Sequence, residues 1–403
     1  MSLGAWCQSA LLAAAALSAL FWLAGGFVLY SGVRRLRGLG EIEPLPDEAL
    51  PSVSIVVAAR DEAARVEEAV HSLLAIDYPR LSVVAVDDRS TDGTGAILDR
   101  LAAADARLRV IHLASLPAGW IGKCRALAEG EAAAGGEWIL FTDGDVVLAP
   151  DALRRAVSHG IRGGADHVAV GIDVEVEGIG EAVFVAYFLL IFFVTQRPWG
   201  ASDPATRDHI GIGAFNLVRR AAYERAGGHA ALRMELLDDL GLGLIVKRSG
   251  GTTLFALPDG RVRTRWHAGI GGLIRGVEKN AFPAMDLRVW FTAYAVTMQL
   301  LTSLVPIAAL FAASPWTRAL GILAWSGVFL AYSVTAGYAR VRTWQAVLMP
   351  VGAILFAFAI VRSAAITLSR GGVTWRGTFY PIADLRRGRA RWSAPQKRPP
   401  RSS

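Results

Sequence analysis

Phe141-Thr-Asp-Gly-Asp-Val-Val-Leu148 is the stretch whose reading decides the fold. Glu137-Trp-Ile-Leu140 leads into it as a short apolar run of strand type, and two carboxylates, Asp143 and Asp145, follow two positions apart. A strand that ends in Asp-x-Asp at the edge of an α/β sheet can hold a divalent cation, which in turn holds a diphosphate. Asp-Gly is also a common turn, so a pair of solvated turn aspartates is the competing reading. The neighbouring segments decide between the two.

Upstream, Val53-Ser-Ile-Val-Val-Ala58 reads as a buried strand. Asp61 to Leu74 follows as a helix, with Val66, Val70, Leu73 and Leu74 on its apolar face. Leu81 to Val86 is a second strand ending in Asp87-Asp88-Arg-Ser-Thr-Asp-Gly-Thr94. A helix over Ala96 to Ala103 and a strand over Leu108 to His112 come next. Strands alternating with helices at this spacing imply a parallel, doubly wound α/β sheet of Rossmann-like type. Ligands of such sheets bind at the carboxyl ends of the strands, where Asp87, Asp88, Asp143 and Asp145 all fall.

The chain has 403 residues, of which 53% are hydrophobic and 19% charged. The apolar excess is concentrated in long runs, which marks membrane segments rather than a larger core. Trp6 to Tyr30 carries no charge and is long enough to cross a bilayer. No Lys or Arg precedes it and it exceeds the apolar region of a signal peptide, so an anchor is favoured over a cleaved leader. Arg34, Arg35 and Arg37 follow it and, by the positive-inside rule, place what comes next in the cytoplasm. Ala182 to Val194 is short for a span and reads as an interfacial helix or a buried core helix. Val289 to Ala313 and Ala319 to Ala339 read as spans. Val347 to Val361 is shorter, and Pro350 and Gly352 offer a place to break it, so we expect a re-entrant or interfacial segment. A basic tail follows, with a strand-like piece at Gly371–Gly377 and a Pro/Arg/Ser end expected to be disordered. The net charge of +7 lies largely beside apolar runs and in this tail, which points to a membrane surface and not to nucleic acid. Cys7 and Cys124 fit neither a disulfide framework nor a zinc site. The expected organisation is an anchor (1–37), a linker (38–51), a catalytic domain (52–285), C-terminal membrane segments (286–368) and a basic tail (369–403).

Five stretches in order resemble the family 2 glycosyltransferases. They are Ser54-Ile-Val-Val-Ala-Ala-Arg-Asp-Glu62, Val86-Asp-Asp-Arg-Ser-Thr-Asp-Gly-Thr94, Gly122-Lys-Cys-Arg-Ala-Leu127, Thr142-Asp-Gly-Asp145 and Leu237-Asp-Asp-Leu-Gly-Leu242, with Arg265-Trp266 after them. Ala126-Leu127, Gly227-Gly228-His229 and Lys279-Asn280-Ala281-Phe282 look most like the membrane-bound branch that includes hopanoid-associated and carotenoid-acid glycosyltransferases. The resemblance implies the GT-A nucleotide-diphospho-sugar-binding fold with flanking transmembrane helices. It also implies an integral protein of a bacterial cell membrane whose catalytic domain is cytoplasmic.

It further implies roles. Asp87 and Asp88 would read the nucleotide, flanked by Ala58 and Arg60; the family's usual Asn is replaced here by Asp61. As an alternative, the pair belongs to a turn that caps the next helix. Lys123, just before a helix, would point its charge at the diphosphate. Asp143 and Asp145 would hold Mg²⁺ or Mn²⁺, the ions selected by hard oxygen ligands. Asp239, at the start of a helix expected over Leu240 to Lys247, would be the catalytic base, with Asp238 orienting it. Arg265 would clamp the diphosphate and Trp266 shape the acceptor site, or the two are an interfacial pair. The family's Gln/Arg-x-x-Arg-Trp signature is incomplete here because its first position is Val262, which argues against processive synthesis.

The expectation is a metal-dependent, inverting transferase moving a sugar from a nucleotide-diphospho-sugar, UDP-linked, to a membrane lipid. Synthesis of a polyprenyl-phosphate sugar, or polysaccharide-synthase-like transfer, is the alternative within enzymes. A binding scaffold is disfavoured because every motif acid is present. A nucleotidyltransferase is disfavoured because the Gly-rich, Arg-containing loop after the first strand is missing.

Overall fold

A computed structural model describes residues 3–336 and 342–389. The chain divides into two compact units. One contains residues 36–175, 198–265 and the chain from Thr374 onward. The other contains the N-terminus to Arg35, Val176–Arg197 and Trp266–Val373.

The first of these units is built on an eight-stranded sheet. Its order is Arg37–Gly38, Thr253–Leu257, His167–Val170, Asn216–Arg219, Trp138–Asp143, Val53–Ala59, Leu81–Asp88 and Leu108–Leu113. The central strands are near-continuous apolar runs because helices cover both faces and leave no solvent side to alternate toward. Val53–Ala59 is buried at six of seven positions. The sheet is not wholly parallel, as the alternation of elements had implied. Asn216–Arg219 runs antiparallel to both of its neighbours. A second, three-stranded sheet joins Val147–Leu148, Val262–Thr264 and Asp173–Val174.

The first helix also differs from expectation. It begins at Val66, not Asp61. The N–H groups of Asp61, Glu62 and Ala63 donate instead to Ser90 Oγ, Thr94 Oγ1 and Asp92 Oδ2 at 2.9–3.0 Å. Asp61 has a φ of +52°, outside helical space, and its Oδ1 accepts from Thr91 N at 2.8 Å. The capping residues of the Ser90–Thr94 loop thus satisfy the preceding loop as well as their own turn, and tertiary bonds override the helical pattern.

The other unit holds the helices Leu3–Val33, Ile179–Gln196, Gly269–Ala284, Val289–Leu310, Pro315–Ala336 and Met349–Arg370. Among the described residues, five segments are long and apolar enough to cross a membrane. Ile179–Gln196, at 18 residues, is one of them and is longer than its sequence suggested. Met349–Arg370 is a continuous 22-residue helix, which corrects the expected break at Pro350 and Gly352. Pro350 falls in the first turn, where a missing N–H costs nothing. Small residues let the helices approach closely: a Cβ at Gly26 would lie 2.9 Å from the Gly327 carbonyl oxygen, and one at Gly327 2.5 Å from the Trp22 carbonyl carbon. Trp22 Nε1 donates to the Thr302 carbonyl at 2.8 Å, and Gln299 Nε2 to the Ala353 carbonyl at 2.9 Å. Exposed Leu17, Leu20, Phe27, Trp290, Phe311 and Trp316 give this unit an apolar exterior.

The tail is more ordered than expected up to Arg389. Gly372–Trp375 and Thr378–Pro381 pair as a hairpin, and the helix Ile382–Gly388 follows. The Pro/Arg/Ser end expected to be disordered lies outside the described residues.

Trp138 anchors the sheet core. It is 1% exposed, Arg219 stacks on its ring at 4.5 Å, and a Cβ at Gly160 would meet it at 2.8 Å. Trp138→Ala should destabilise the protein by about 3–5 kcal/mol, the usual cost of emptying so large a core position. Denaturant unfolding followed by circular dichroism checks this, and a loss below about 1 kcal/mol would show that the site collapses around the deletion.

Candidate active site

Three neighbouring strands deliver the candidate residues to one edge. In register, Ala58 lies between Val86 and Asp143, and Ala59 is opposite Asp87. Arg60, Asp88 and Asp143 therefore project from adjacent carboxyl ends, where ligands of such sheets bind.

Lys123 is the second residue of the helix Gly122–Ala132. Its Nζ lies 2.8 Å from Asp143 Oδ1 and 3.5 Å from Asp238 Oδ2. Burial works against its charge, but Asp143, Asp238 and Asp239 outweigh this and hold its pKa well above the usual lysine value. Asp238 and Asp239 open the helix Asp238–Arg248, two residues earlier than expected, with their carboxylates at its positive end. Asp239 Oδ2 accepts from Gly213 N at 3.0 Å and Oδ1 from Leu240 N at 2.9 Å, which fixes its orientation. A Cβ at Gly213 would fall 2.9 Å from Asp143 Oδ2, 3.3 Å from Lys123 Nζ and 3.5 Å from Asp239 Oδ2. The three side chains thus ring a single point beside that glycine.

Asp145 pairs with Arg65 at 3.5 Å. Burial, then the nearby Asp143 and Glu62 carboxylates, push its pKa up to about 6. A carboxyl crowded by other carboxylates is one that a cation would relieve. Among the described residues no group of three or more His, Cys, Asp or Glu could hold an ion unaided. Two hard carboxylates fit Mg²⁺ or Mn²⁺ taking its remaining ligands from phosphate and water. Gly144 between them suits the space, since a Cβ there would meet that of Ala59 at 3.1 Å.

The other end of the edge is more fully paired. Asp87 Oδ1 accepts from Ser90 N at 3.1 Å, and Oδ2 lies 3.0 Å from His112 Nδ1. His112 also meets Asp99 at 2.9 Å, and the two carboxylates raise its pKa. Asp88 accepts two bonds from Arg89, at 2.7 and 3.1 Å, and Arg60 Nη1 stands 3.8 Å away. Arg60 Nε is buried without a hydrogen-bond partner. Asp87 thus has both carboxylate oxygens engaged within this chain, and Arg60 stands beside Asp88 and Asp61.

Arg265 and Trp266 fall in different units. The Arg265 carbonyl accepts from Arg65. Trp266 packs on Phe188 at 4.8 Å between ring centroids, within the helical unit. Residues not singled out from sequence are Glu62, Arg65, Arg89, His112 and the Gly211-Ile-Gly213 loop. The loop had a signal: two glycines shortly before an apolar run. A Cβ at Gly211 would lie 1.8 Å from the Asp239 carbonyl oxygen, so only glycine fits there.

Residues 54–227 match Glycosyl transferase family 2. These residues match a family 2 glycosyltransferase domain, and the fold is of the GT-A type. Over 155 residues the chain is 33% identical to beta-monoglucosyldiacylglycerol synthase of Synechocystis sp., covering 34% of this chain but only 32% of that relative. It is 24% identical to 4,4'-diaponeurosporenoate glycosyltransferase of Staphylococcus aureus over 341 residues, 82% of this chain and 89% of that one. Among solved structures, the mannosyltransferase PcManGT of Pyrobaculum calidifontis, in complex with GDP-Man and Mn²⁺, superposes with a TM-score of 0.50. That likeness, at 18% identity, covers 89% of this chain and 98% of the other and bears on the fold alone.

Because Asp145 holds its proton to about pH 6 in the folded protein but only to about 3.8 when unfolded, the native state binds the extra proton between those values. Asp145 should therefore add stability, on the order of 1 kcal/mol, to the metal-free protein as pH falls from 7 to 5, while His167 and His229, whose pKa values burial lowers to about 4 and about 3, take stability away over the same range. Melting of the detergent-solubilised wild type and of Asp145→Asn in EDTA at both pH values checks this. On acidification the variant should lose more stability than the wild type, by on the order of 1 kcal/mol, and equal changes in the two proteins would show that Asp145 does not carry the effect.

Proposed function

We propose that the protein is a membrane-bound, inverting glycosyltransferase. It moves a sugar from a nucleotide-diphospho-sugar, UDP-linked, to the hydroxyl or carboxylate of a lipid such as a hopanoid or another terpenoid. The observation that carries this reading is the ring of Lys123, Asp143 and Asp239 around Gly213 at the carboxyl edge of the sheet. The lipid acceptor is supported by relatives named for diacylglycerol and carotenoid-acid products and by the long apolar helices.

An incoming diphosphate competes for Lys123, drawing the ammonium from Asp143 and leaving that carboxylate to the ion. Mg²⁺ or Mn²⁺ held by Asp143 and Asp145 would neutralise the charge that develops on the departing diphosphate. Asp239, fixed by two backbone N–H groups, takes the acceptor proton as the acceptor attacks the anomeric carbon. Asp238 remains with Lys123 and holds it in place. Arg60, which stands 3.8 Å from Asp88 at the same edge, would flank the base.

Membranes incubated with a panel of nucleotide-sugars should release nucleoside diphosphate from one of them. EDTA should abolish release, and Mn²⁺ or Mg²⁺ restore it. Asp239→Asn should keep donor binding but lose transfer by about 10²–10⁴-fold, the usual contribution of a positioned base. A mild loss would favour an acceptor that is already anionic, such as a polyprenyl phosphate. Full activity without metal would remove the role given to Asp143 and Asp145.

Parity supports an orientation. Residues 36–175, 198–265 and 374–389 belong to one compact unit, which favours placing them on one side of the bilayer. Ile179–Gln196 must then begin and end on that side. Between residues 265 and 374 the number of crossings must be even, although three long helices are present. We assign the non-crossing one to Met349–Arg370, which carries Arg362 in its interior, paired with Glu278 at 2.8 Å. With Arg34, Arg35 and Arg37 inside, the catalytic unit and the tail are cytoplasmic. Arg340 and Arg391, also assigned to the cytoplasm, lie outside the described residues. A cysteine at Ser402, with Cys7 and Cys124 replaced by alanine, should resist an impermeant maleimide on intact cells and react after lysis. Reaction before lysis would mean three full crossings.

A further inference from the structure

The hairpin Gly372–Trp375 and Thr378–Pro381 lies far outside residues 54–227, yet its far end returns to the catalytic edge. Tyr380 is 5% exposed, and its hydroxyl accepts from Gly122 N at 3.2 Å. Gly122 is the first residue of the helix that carries Lys123. At the tip, the Arg376 guanidinium bonds the Glu62 carboxylate and reaches the Asp61 carbonyl at 3.5 Å. A Cβ on Gly377 would stand 3.7 Å from Arg60 Nη2. Arg376 holds a φ of +47°, a conformation that costs a residue with a side chain of order 1 kcal/mol and needs fixed surroundings. Behind the hairpin, Leu385 is buried and Gly388 is close-packed on Met234, four residues before Asp238.

These contacts fall on the two ends of the proposed donor pocket. Arg60, Asp61 and Glu62 follow the first central strand, at the nucleotide end. Gly122 and Lys123 form the helix start, a natural seat for phosphate because its N–H groups lack partners within the helix. Tyr380 takes up one of those N–H groups. A phenol in that place can turn and donate its own proton to a phosphate or ribose oxygen, while the Gly122 N–H is released to the anion. Arg376 neutralises Glu62, a carboxylate that otherwise adds to the negative charge around Asp145.

We propose that the C-terminal hairpin is a strap over the donor site, and that Arg376 and Tyr380 bind or frame the nucleoside diphosphate. This rests on the donor reading above and extends the site some 150 residues beyond the family-matched region.

The test uses the full-length protein in detergent, with UDP and GDP as probes in the presence of Mn²⁺. Arg376→Gln and Tyr380→Phe preserve bulk and should leave the melting temperature unchanged. Each should weaken binding of the preferred diphosphate by about tenfold, the loss of one good hydrogen bond, and raise donor KM with acceptor KM unchanged. Arg387→Gln, in the same tail but paired only with Asp384 at the surface, is the control and should bind as wild type. Should either hairpin variant fail to fold, trypsin cleavage of the wild type after Arg376 supplies the second measurement, and diphosphate with Mn²⁺ should slow it. Wild-type binding of UDP or GDP together with unaltered variants, or cleavage indifferent to the diphosphate, overturns the strap. A wild type that binds neither UDP nor GDP overturns the donor reading itself, and the strap with it.

Discussion

A buried ammonium among carboxylates is the constraint on which the site depends. Lys123 sits at a helix start, where the dipole disfavours a cation, and is largely shielded from water. Only the carboxylates of Asp143, Asp238 and Asp239 make that position tenable. In turn those acids, drawn from a strand end and a helix start far apart in sequence, could not converge without the ammonium between them. Truncating the lysine would leave the buried Asp238 carboxylate and the half-buried Asp143 and Asp239 without their shared cation, so the site is mutually held and not a set of independent ligands.

A neutral network fixes the loop beside it. Asn216 Oδ1 accepts from Ile212 N at 3.2 Å and from His167 Nε2 at 2.9 Å, while Nδ2 donates to the Asp239 carbonyl at 3.3 Å. Burial drops the His167 pKa to about 4, so the ring stays neutral and can donate from one nitrogen while accepting from Thr253 Oγ1 at the other. Asn216 begins the antiparallel strand. The strand that breaks the parallel run of the eight-stranded sheet therefore ties the glycine loop to the acid that faces it.

Much of this was legible in the sequence, for physical reasons. Val53–Ala59, Leu81–Asp88 and Trp138–Asp143 are apolar on both faces, and their terminal acids stand out against that background. Asp238 and Asp239 stood out only through the family resemblance, because adjacent acids at a helix start are also ordinary dipole partners. Asn216–Arg219 did not, since four residues carry no usable period and its direction is set by partners elsewhere. The loop after Ala59 read as helix because its pattern fits one; its N–H groups are claimed by side chains some 30 residues away. Pro350 read as a break because composition cannot tell the first turn of a helix from its middle. Arg376 and Tyr380 were invisible because only the closed chain brings them to Glu62 and Gly122.

The close crossing of Gly26 against Gly327 bears on how the molecule is made. The helix Leu3–Val33 leaves the ribosome first, but the helix it packs against, Pro315–Ala336, emerges about 300 residues later. The catalytic sheet has a similar delay: its edge strand Arg37–Gly38 waits for Thr253–Leu257. Both units are thus closed by late parts of the nascent chain. Through most of synthesis Leu3–Val33 lacks its main packing partner, and its apolar surface must be covered by something else. Synthesis therefore sets a demand on Leu3–Val33 separate from catalysis: it must be kept from misassociating and still keep, at Gly26, a notch for a partner not yet translated.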